Sequence, residues 1–281
     1  MTDKRIGMRD ALSTVRDGAR IGLGGMTLYR RPVAAALMLA ALGKRDLEIV
    51  TLTGGIETDL LIGAGCVKRI RSCYIGLEVV GFAPHFTRRM QAGTLELVEE
   101  TEYTLSYAIH AATMRVPFMP MRGDLTRTDI VRVRPDLKLF DCPLTGTPLI
   151  AVPALKLDVV VIHATAADAQ GNCNLQGQLA LDPHLPTVAD ITIVTAERIV
   201  DTEELRAMRG GIGLASVFVT HVVEAPRGSL PTSCFPHQRL DLPTVLDYAD
   251  AAADTGTWTA WLARAMQGMQ AMQSTQTGAA A

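Results

Sequence analysis

The stretch LDVVVIHATAAD, residues 157–168, constrains the fold most. A strand with one wet face alternates apolar and polar residues. This one is apolar without a break from Val159 to Ile162, so both of its faces must be covered. That is the pattern of an interior strand in a parallel sheet, and parallel strands need long crossovers between them. The rest of the chain supplies them. DGARIGLGG ends in a strand and a turn, DLEIVTLTGG is a β-rich run closed by glycines, and DITIVTAERIV and LASVFVTHVVEAP read as two more strands. RRPVAAALMLAALGK reads as a buried helix, with Pro32 where a first helical turn tolerates it. TDLLIGAGCVKRI and PHFTRRMQAG read as helix and turn elements. TEYTLSYAIHAATMR puts Leu105, Ala108, Ile109 and Ala112 on one helical face. Strands separated by helices imply right-handed crossovers and an α/β fold, a mostly parallel sheet between helices. The expectation is one domain over residues 1–281, with no long linker and no repeat. Met266, Met269 and Met272 mark a capping helix, and the tail is expected to fray from about residue 270.

Composition removes several function classes. The formal net charge is -2, and no basic patch is interleaved with aromatic residues, so no nucleic-acid partner is expected. The longest apolar stretch, residues 33–42, is too short to span a bilayer, and MTDKRIGMRDAL is too polar for a signal peptide. Cys66, Cys73, Cys142, Cys173 and Cys234 are odd in number and form no C-x-x-C pair, which fits reduced thiols in a cytoplasm. His184, His221 and His237 are scattered without ligand spacing, so no metal is expected.

IGLGGMTLYRRP, residues 21–32, carries a glycine-rich turn after a short apolar run. A dinucleotide fingerprint would need glycine where Thr27 stands, and a phosphate-binding P-loop would need Gly-Lys-Ser/Thr, which is absent. The simplest reading is a tight strand-to-helix turn. The buried strand that begins at Leu157 ends at His163, and open α/β sheets bind ligands beyond the carboxyl ends of their strands. His163 is therefore a candidate binding residue, or a histidine that hydrogen-bonds a neighbouring loop. Asp168, Gly171 and Asn172, just beyond it, also read as a turn.

Several stretches carry a resemblance in the order of one family: IGLGGMTLYRRP, DLLIGAGCVKRI, HAATMRVPFMPMRG, LIAVPALKLDVVVIHATAADAQGN and ADITIVTAERIVDTEEL. The chain resembles the A (alpha) subunit of a family I CoA-transferase of the glutaconate CoA-transferase type, over about residues 6–240. The resemblance implies the CoA-transferase fold, coenzyme A as co-substrate with no permanently bound cofactor, and a B (beta) subunit of the same fold in a heterotetramer. It places the turn at Gly24 and Gly25 near an intersubunit site. There, backbone can approach the acyl group, and free N–H groups could stabilise an oxyanion. It also implies a covalent glutamate on the B subunit, in a Glu-small-Gly motif. Nothing of the form E-x-G occurs in this chain, so it is expected to be incomplete alone.

EETEYTLSYAIHAATMRVPFMPMRG, residues 99–123, carries a second resemblance. Glu99, Glu100 and Glu102 crowd a helix start, where acids interact well with the helix dipole and solvent. The segment is also similar to the A subunit of a CoA-transferase-fold hydrolase that opens a ring in bacterial steroid catabolism. That similarity implies Glu102 as a catalytic base and Arg122 as a substrate anchor, or in the plain reading a surface ion pair. A base of this kind would be partly buried among other acids, lifting its pKa toward neutrality. His110 reads as a core or interface histidine. The adjacent Arg30 and Arg31 would be solvated or would meet CoA phosphates, and Cys173 is a poor nucleophile without a histidine at a recognisable spacing. Three functions follow as expectations. The first is the A subunit of an acyl-CoA:carboxylate CoA-transferase, the second a CoA-thioester hydrolase subunit using Glu102, and the third a non-catalytic ligand-binding subunit.

Overall fold

The structure is a computed structural model that describes residues 2–277. Seven parallel strands form the central sheet. Their spatial order is His221–Glu224, Ala189–Ala196, Leu157–Ala164, Arg20–Leu23, Leu47–Val50, Val67–Ser72 and Glu96–Glu99. Leu157–Ala164 is an interior strand, with Val161 registered between Leu23 and Ile193. Its side chains alternate between two cores, as the pleat requires. Val159 and Val161 join Ile21, Leu39 and Ile49 on one face, while Val160, Ile162 and Ala164 join Ile109, Ile150 and Val194 on the other.

Helices cover the first face: Met8–Ser13, Val33–Ala41, Ile56–Gly63, Pro84–Gln91, Leu242–Ala252 and Thr255–Thr277. The buried helix expected from the alanine-rich run is Val33–Ala41. In the last helix Met269 is buried and Met266 packs against the same core. The side chain of Met272 and residues 278–281 lie outside the described residues. The second face is covered by the helix Glu102–Thr113 and by a three-stranded antiparallel sheet, in which Pro148–Pro153 pairs with both Phe118–Arg122 and Lys138–Asp141.

Four elements differ from the sequence reading, the first being the edge strand Glu96–Glu99, in which Glu99 ends a strand and does not start a helix. The antiparallel sheet is new, built from short strands interrupted by proline. VKRIRS, read as part of a helix and turn, is the strand Val67–Ser72. Its charges sit in a sheet because they pair across it: Arg69 reaches Glu96 at 2.6 Å and Arg71 reaches Glu100 at 2.9 Å. Within LASVFVTHVVEAP only His221–Glu224 is a strand, and Ser216–Phe218 is a single 3₁₀ turn.

Chain order places the functional end of the sheet. From Arg20–Leu23 the chain adds strands outward in one direction, then returns to Leu157–Ala164 and adds strands in the other. The loops leaving the carboxyl ends of these two neighbouring strands therefore part, and a crevice opens between them. Gly24 begins one loop and Thr165 the other.

Candidate active site

The glycine-rich turn is held from both sides. Gly24 donates its N–H to the Val161 carbonyl at 3.0 Å, and Gly25 donates to Asp182 Oδ1 at 2.8 Å. Arg30 and Arg31 are fully buried, which corrects the expectation that they are solvated or face CoA phosphates. Arg30 pairs with Asp182 at 2.6 Å and donates to the carbonyls of His163 at 2.7 Å and Gln178 at 3.0 Å. Arg31 donates to the Gly25 carbonyl at 2.7 Å and to Thr51 Oγ1 at 3.0 Å, and pairs with the buried Glu57. A guanidinium carries five donors in a rigid fork, so each arginine ties the turn to several acceptors at once, among them carbonyls, a hydroxyl and a carboxylate.

The two glycines are demanded by the chain's own atoms. Gly25 has φ +81°, and a Cβ there would lie 2.5 Å from the Arg30 carbonyl oxygen. A Cβ on Gly24 would lie 2.6 Å from Asp182 Oδ1 and 2.9 Å from Ile162. Both N–H groups are already committed, so an oxyanion near this turn would be met by other donors.

His163, one residue before the end of Leu157–Ala164, is fully buried. Its Nε2 lies 2.9 Å from Glu197 Oε1, and its Nδ1 lies 2.9 Å from Thr195 Oγ1. Glu197 also accepts the Arg227 N–H at 2.6 Å. Burial pushes the imidazole below its ordinary pKa, so it stays neutral. Burial alone would raise Glu197, but the hydrogen bonds from His163 and Arg227 outweigh it and hold the carboxyl below its usual range. A neutral ring beside an anionic carboxylate must carry its proton on Nε2, which leaves Nδ1 to accept from the Thr195 hydroxyl. Cys234 Sγ lies within 4.8 Å of the His163 and Glu197 donor atoms, but burial pushes its thiol up to about 12. The group works as a hydrogen-bonded strut behind the crevice, tying the ends of two adjacent strands to the loop that follows the third.

Glu102 is the first residue of its helix and is exposed. The cap is made by Thr101 and Thr104, which exchange hydrogen bonds at 3.0 and 2.8 Å. Glu102 sits close enough to Cys73 that its charge, after burial, helps push that thiol up to about 11. Arg122 is exposed at the end of the Phe118–Arg122 strand, opposite Leu149. The structure joins Gly24, Gly25 and His163 through Arg30 and Asp182, and sets Glu102 and Arg122 on separate elements of the second layer.

Glu100 departs most from the sequence reading. It is a buried anchor, not a solvated first-turn acid. Its carboxylate accepts from Thr104 and pairs with Arg71 at 2.9 Å and Arg134 at 2.7 Å. Arg134 also bonds the Glu99 carbonyl at 2.9 Å and grips Asp136 through two nitrogens. This cluster ties the sheet edge, the helix bearing Glu102 and the segment entering the antiparallel sheet. Glu100→Gln would take one counter-charge from the buried Arg134, which keeps Asp136, and from the half-buried Arg71, at a cost of about 2 kcal/mol. The expected result is a lower urea midpoint with an unchanged slope, and a midpoint equal to wild type would show that the cluster adds nothing.

The remaining candidates have structural explanations. Asp168 caps its own turn, accepting from the backbone of Gln170 at 3.0 Å and Asn172 at 2.9 Å. The His110 ring packs edge-on to His184, centroids 4.8 Å apart. Cys173 is fully buried and its thiol is pushed up by that burial. Asp182, Glu57, Thr195 and Glu197 were not singled out by sequence. Their one sequence signal is position, since Thr195 and Glu197 close a strand beside His163. Asp182 and Glu57 carry no local pattern.

Comparison with known proteins agrees with this architecture. Residues 6–225 match the family model described as coenzyme A transferase. The A-type subunit of the 3-oxoadipate CoA-transferase of Pseudomonas knackmussii is 33% identical over 259 residues, 91% of this chain and 90% of the relative. The cholesterol ring-cleaving hydrolase IpdA subunit of Rhodococcus jostii is 32% identical over 274 residues, 93% of this chain and 91% of the relative. The crystal structure of glutaconate CoA-transferase from Acidaminococcus fermentans superposes with a TM-score of 0.85 at 29% identity, covering 93% of this chain and 88% of that one. With the clamped turn at the switch point of a seven-stranded parallel sheet, these matches show that the chain belongs to the coenzyme A transferase family.

Proposed function

We propose that the chain is the A subunit of a heteromeric acyl-CoA:carboxylate CoA-transferase of the glutaconate type. The observation that carries the reading is the turn at Gly24 and Gly25, fixed by buried Arg30 and Arg31 at the crevice, in a chain without an E-x-G motif. The turn forms one wall of a site, and the nucleophile comes from a B subunit of the same fold. In this reading a glutamate carboxylate of the partner attacks the thioester carbonyl and expels CoA thiolate, giving a mixed anhydride. The thiolate then attacks the glutamyl carbonyl, releases the first carboxylic acid and leaves a glutamyl-CoA thioester. A second carboxylate runs the same steps in reverse. Each difficult acyl transfer is divided into two easier ones. Gly24 and Gly25 shape the wall and His163 holds its neighbour in place. Arg122 lies on the acyl-CoA side, and no metal or resident cofactor takes part. The assembly is a heterotetramer in the cytoplasm, with this chain as one domain. Among the described residues no helix is long and apolar enough to cross a membrane.

A second reading, a CoA-thioester hydrolase subunit with Glu102 as base, is favoured by one observation. Glu102 stands exposed on a capped helix start, which the buried Glu100 cluster holds in place. Assembly tests the first reading directly. The isolated chain presents exposed Val79, Phe82 and Leu144, and it lacks the nucleophile. It should self-associate or bind hydrophobic dyes and transfer no CoA until a B subunit is added. Sedimentation and a transfer assay check this, and an isolated monomer with full transfer activity would overturn the reading.

A further inference from the structure

His163, Glu197 and Cys234 bring an imidazole, a carboxylate and a thiol to one buried point. One donor atom from each lies within 4.8 Å of the other two, and all three residues are more than nine-tenths buried. They come from three segments: the strand Leu157–Ala164, the residue after Ala189–Ala196, and a turn that Cys234 and Gln238 close with backbone hydrogen bonds at 3.0 and 2.9 Å. No sequence spacing marks such a set. A second observation points to the same place. The hydroxyl of Thr165 is buried beside the Cys234 thiol and has no hydrogen-bond partner among the described residues. The turn over the site is exposed at Phe235, Pro236 and His237, which gives a path in from solvent.

We propose that His163 Nε2, a Glu197 oxygen and Cys234 Sγ form a binding site for one zinc ion, with Thr165 Oγ1 or a water at the fourth corner. Mixed nitrogen, oxygen and sulfur donors suit zinc, whereas magnesium and calcium take oxygen alone. Bonds of about 2.0–2.3 Å set tetrahedral donor atoms about 3.3–3.8 Å apart, so His163 Nε2 and Glu197 Oε1, now at 2.9 Å, part by about half an ångström as the metal replaces the proton between them. The protons balance. The ring proton moves from Nε2 to Nδ1 and is donated to Thr195 Oγ1 at 2.9 Å, and the Thr195 hydroxyl turns to the Ile162 carbonyl at 3.4 Å. A ligating histidine needs an outer acceptor of this kind to fix its tautomer. The Cys234 thiol gives its proton to solvent. Zinc with one thiolate and one carboxylate is then neutral, and Arg30, which donates to the His163 carbonyl, is already balanced by Asp182. The Arg227 N–H holds the other Glu197 oxygen at 2.6 Å. The ion would reinforce the strut behind the crevice and take no step in acyl transfer.

The full-length chain, stripped with a chelator and titrated with cobalt(II) as a visible stand-in for zinc, tests the site. One ion per chain should bind, with tetrahedral visible bands and a thiolate-to-cobalt band in the near ultraviolet, and zinc should erase both. Cys234→Ser should lose the thiolate band, while Cys173→Ser, at a buried thiol elsewhere, should keep it. Zinc at about a hundredfold excess over its Kd should raise Tm by about 5–10 °C in wild type and leave Cys234→Ser unmoved. Zinc-edge X-ray absorption on the wild type reads the ligand set without any variant, so the test survives a Cys234→Ser chain that does not fold. It should find one sulfur at about 2.3 Å and nitrogen or oxygen at about 2.0–2.2 Å. Three results overturn the proposal: no ion retained against the chelator, a zinc shell without sulfur, or a thiolate band that survives Cys234→Ser.

Discussion

Gly25→Val is expected to cost about 3 kcal/mol or more of stability, from a left-handed backbone position and from overpacking. The added side chain would begin 2.5 Å from the Arg30 carbonyl oxygen and 2.7 Å from that of Tyr29. Both are backbone atoms and can move only if the turn moves. Moving it strains the Asp182 contact to Gly25 and the Arg31 contact to the Gly25 carbonyl. The effect therefore reaches the Arg31–Glu57 pair, where loss of one partner from a buried ion pair typically costs about 3–5 kcal/mol. For a chain of this size about 1 kcal/mol corresponds to roughly 2–4 °C in Tm, so a fall of about 6–12 °C is expected. Gly24→Val should behave similarly, because Asp182 and Ile162 occupy the space it needs. Acyl-CoA turnover should be lost with the fold's stability, and not in a protein of native stability. A Gly25→Val protein that melts like wild type would mean that the turn relaxes without cost and that its clamp is not tight.

At this clamp sequence reasoning stops. The glycines, the buried strand and His163 were legible because each leaves a local mark: an apolar run, a turn residue, a strand end. Their companions were not. Asp182 lies more than 150 residues from Gly25 and meets it only because Leu157–Ala164 pairs beside Arg20–Leu23. Adjacent arginines in a sequence look solvated, and their burial here depends on Asp182 and Glu57, which no spacing rule connects to them. Glu100 illustrates the same limit from the other side. Beside Glu99 and Glu102 it looks like a helix-start acid, yet the strand ends at Glu99 and the helix starts at Glu102. Glu100 therefore falls on the corner that turns inward, toward Arg71 and Arg134. Periodicity reports which face a residue takes within an element. At a junction between elements it reports nothing, and Arg30, Arg31, Glu100 and Asp182 all lie outside the helices and strands.

Treating the assembled complex with acyl-CoA and then borohydride should abolish nearly all transfer activity. Borohydride reduces the glutamyl thioester to an alcohol, and peptide mapping should place the modified glutamate on the partner chain. Without acyl-CoA the same reagent should have little effect, because a free carboxylate is not reduced. In the same complex Glu102→Gln should change turnover only a few-fold, since a transferase cycling through a partner glutamate needs no base to activate water. The substitution is close to isosteric, and Glu102 is exposed, so folding should be unaffected and the comparison clean. The hydrolase reading expects the opposite pair of results. No thioester would accumulate on the partner, and Glu102→Gln would cost about a hundredfold in turnover, as for loss of a general base. The exposure of Glu102 bears on this choice. Glu102 is open to solvent and so free to meet a substrate or a partner, and in the hydrolase reading the B subunit would close over it to form the site. The pH profile of the complex therefore separates the two readings. A kcat limb near neutrality that disappears in Glu102→Gln belongs to a buried base and excludes the transferase cycle, while a trapped partner glutamate in an active Glu102→Gln complex excludes the hydrolase.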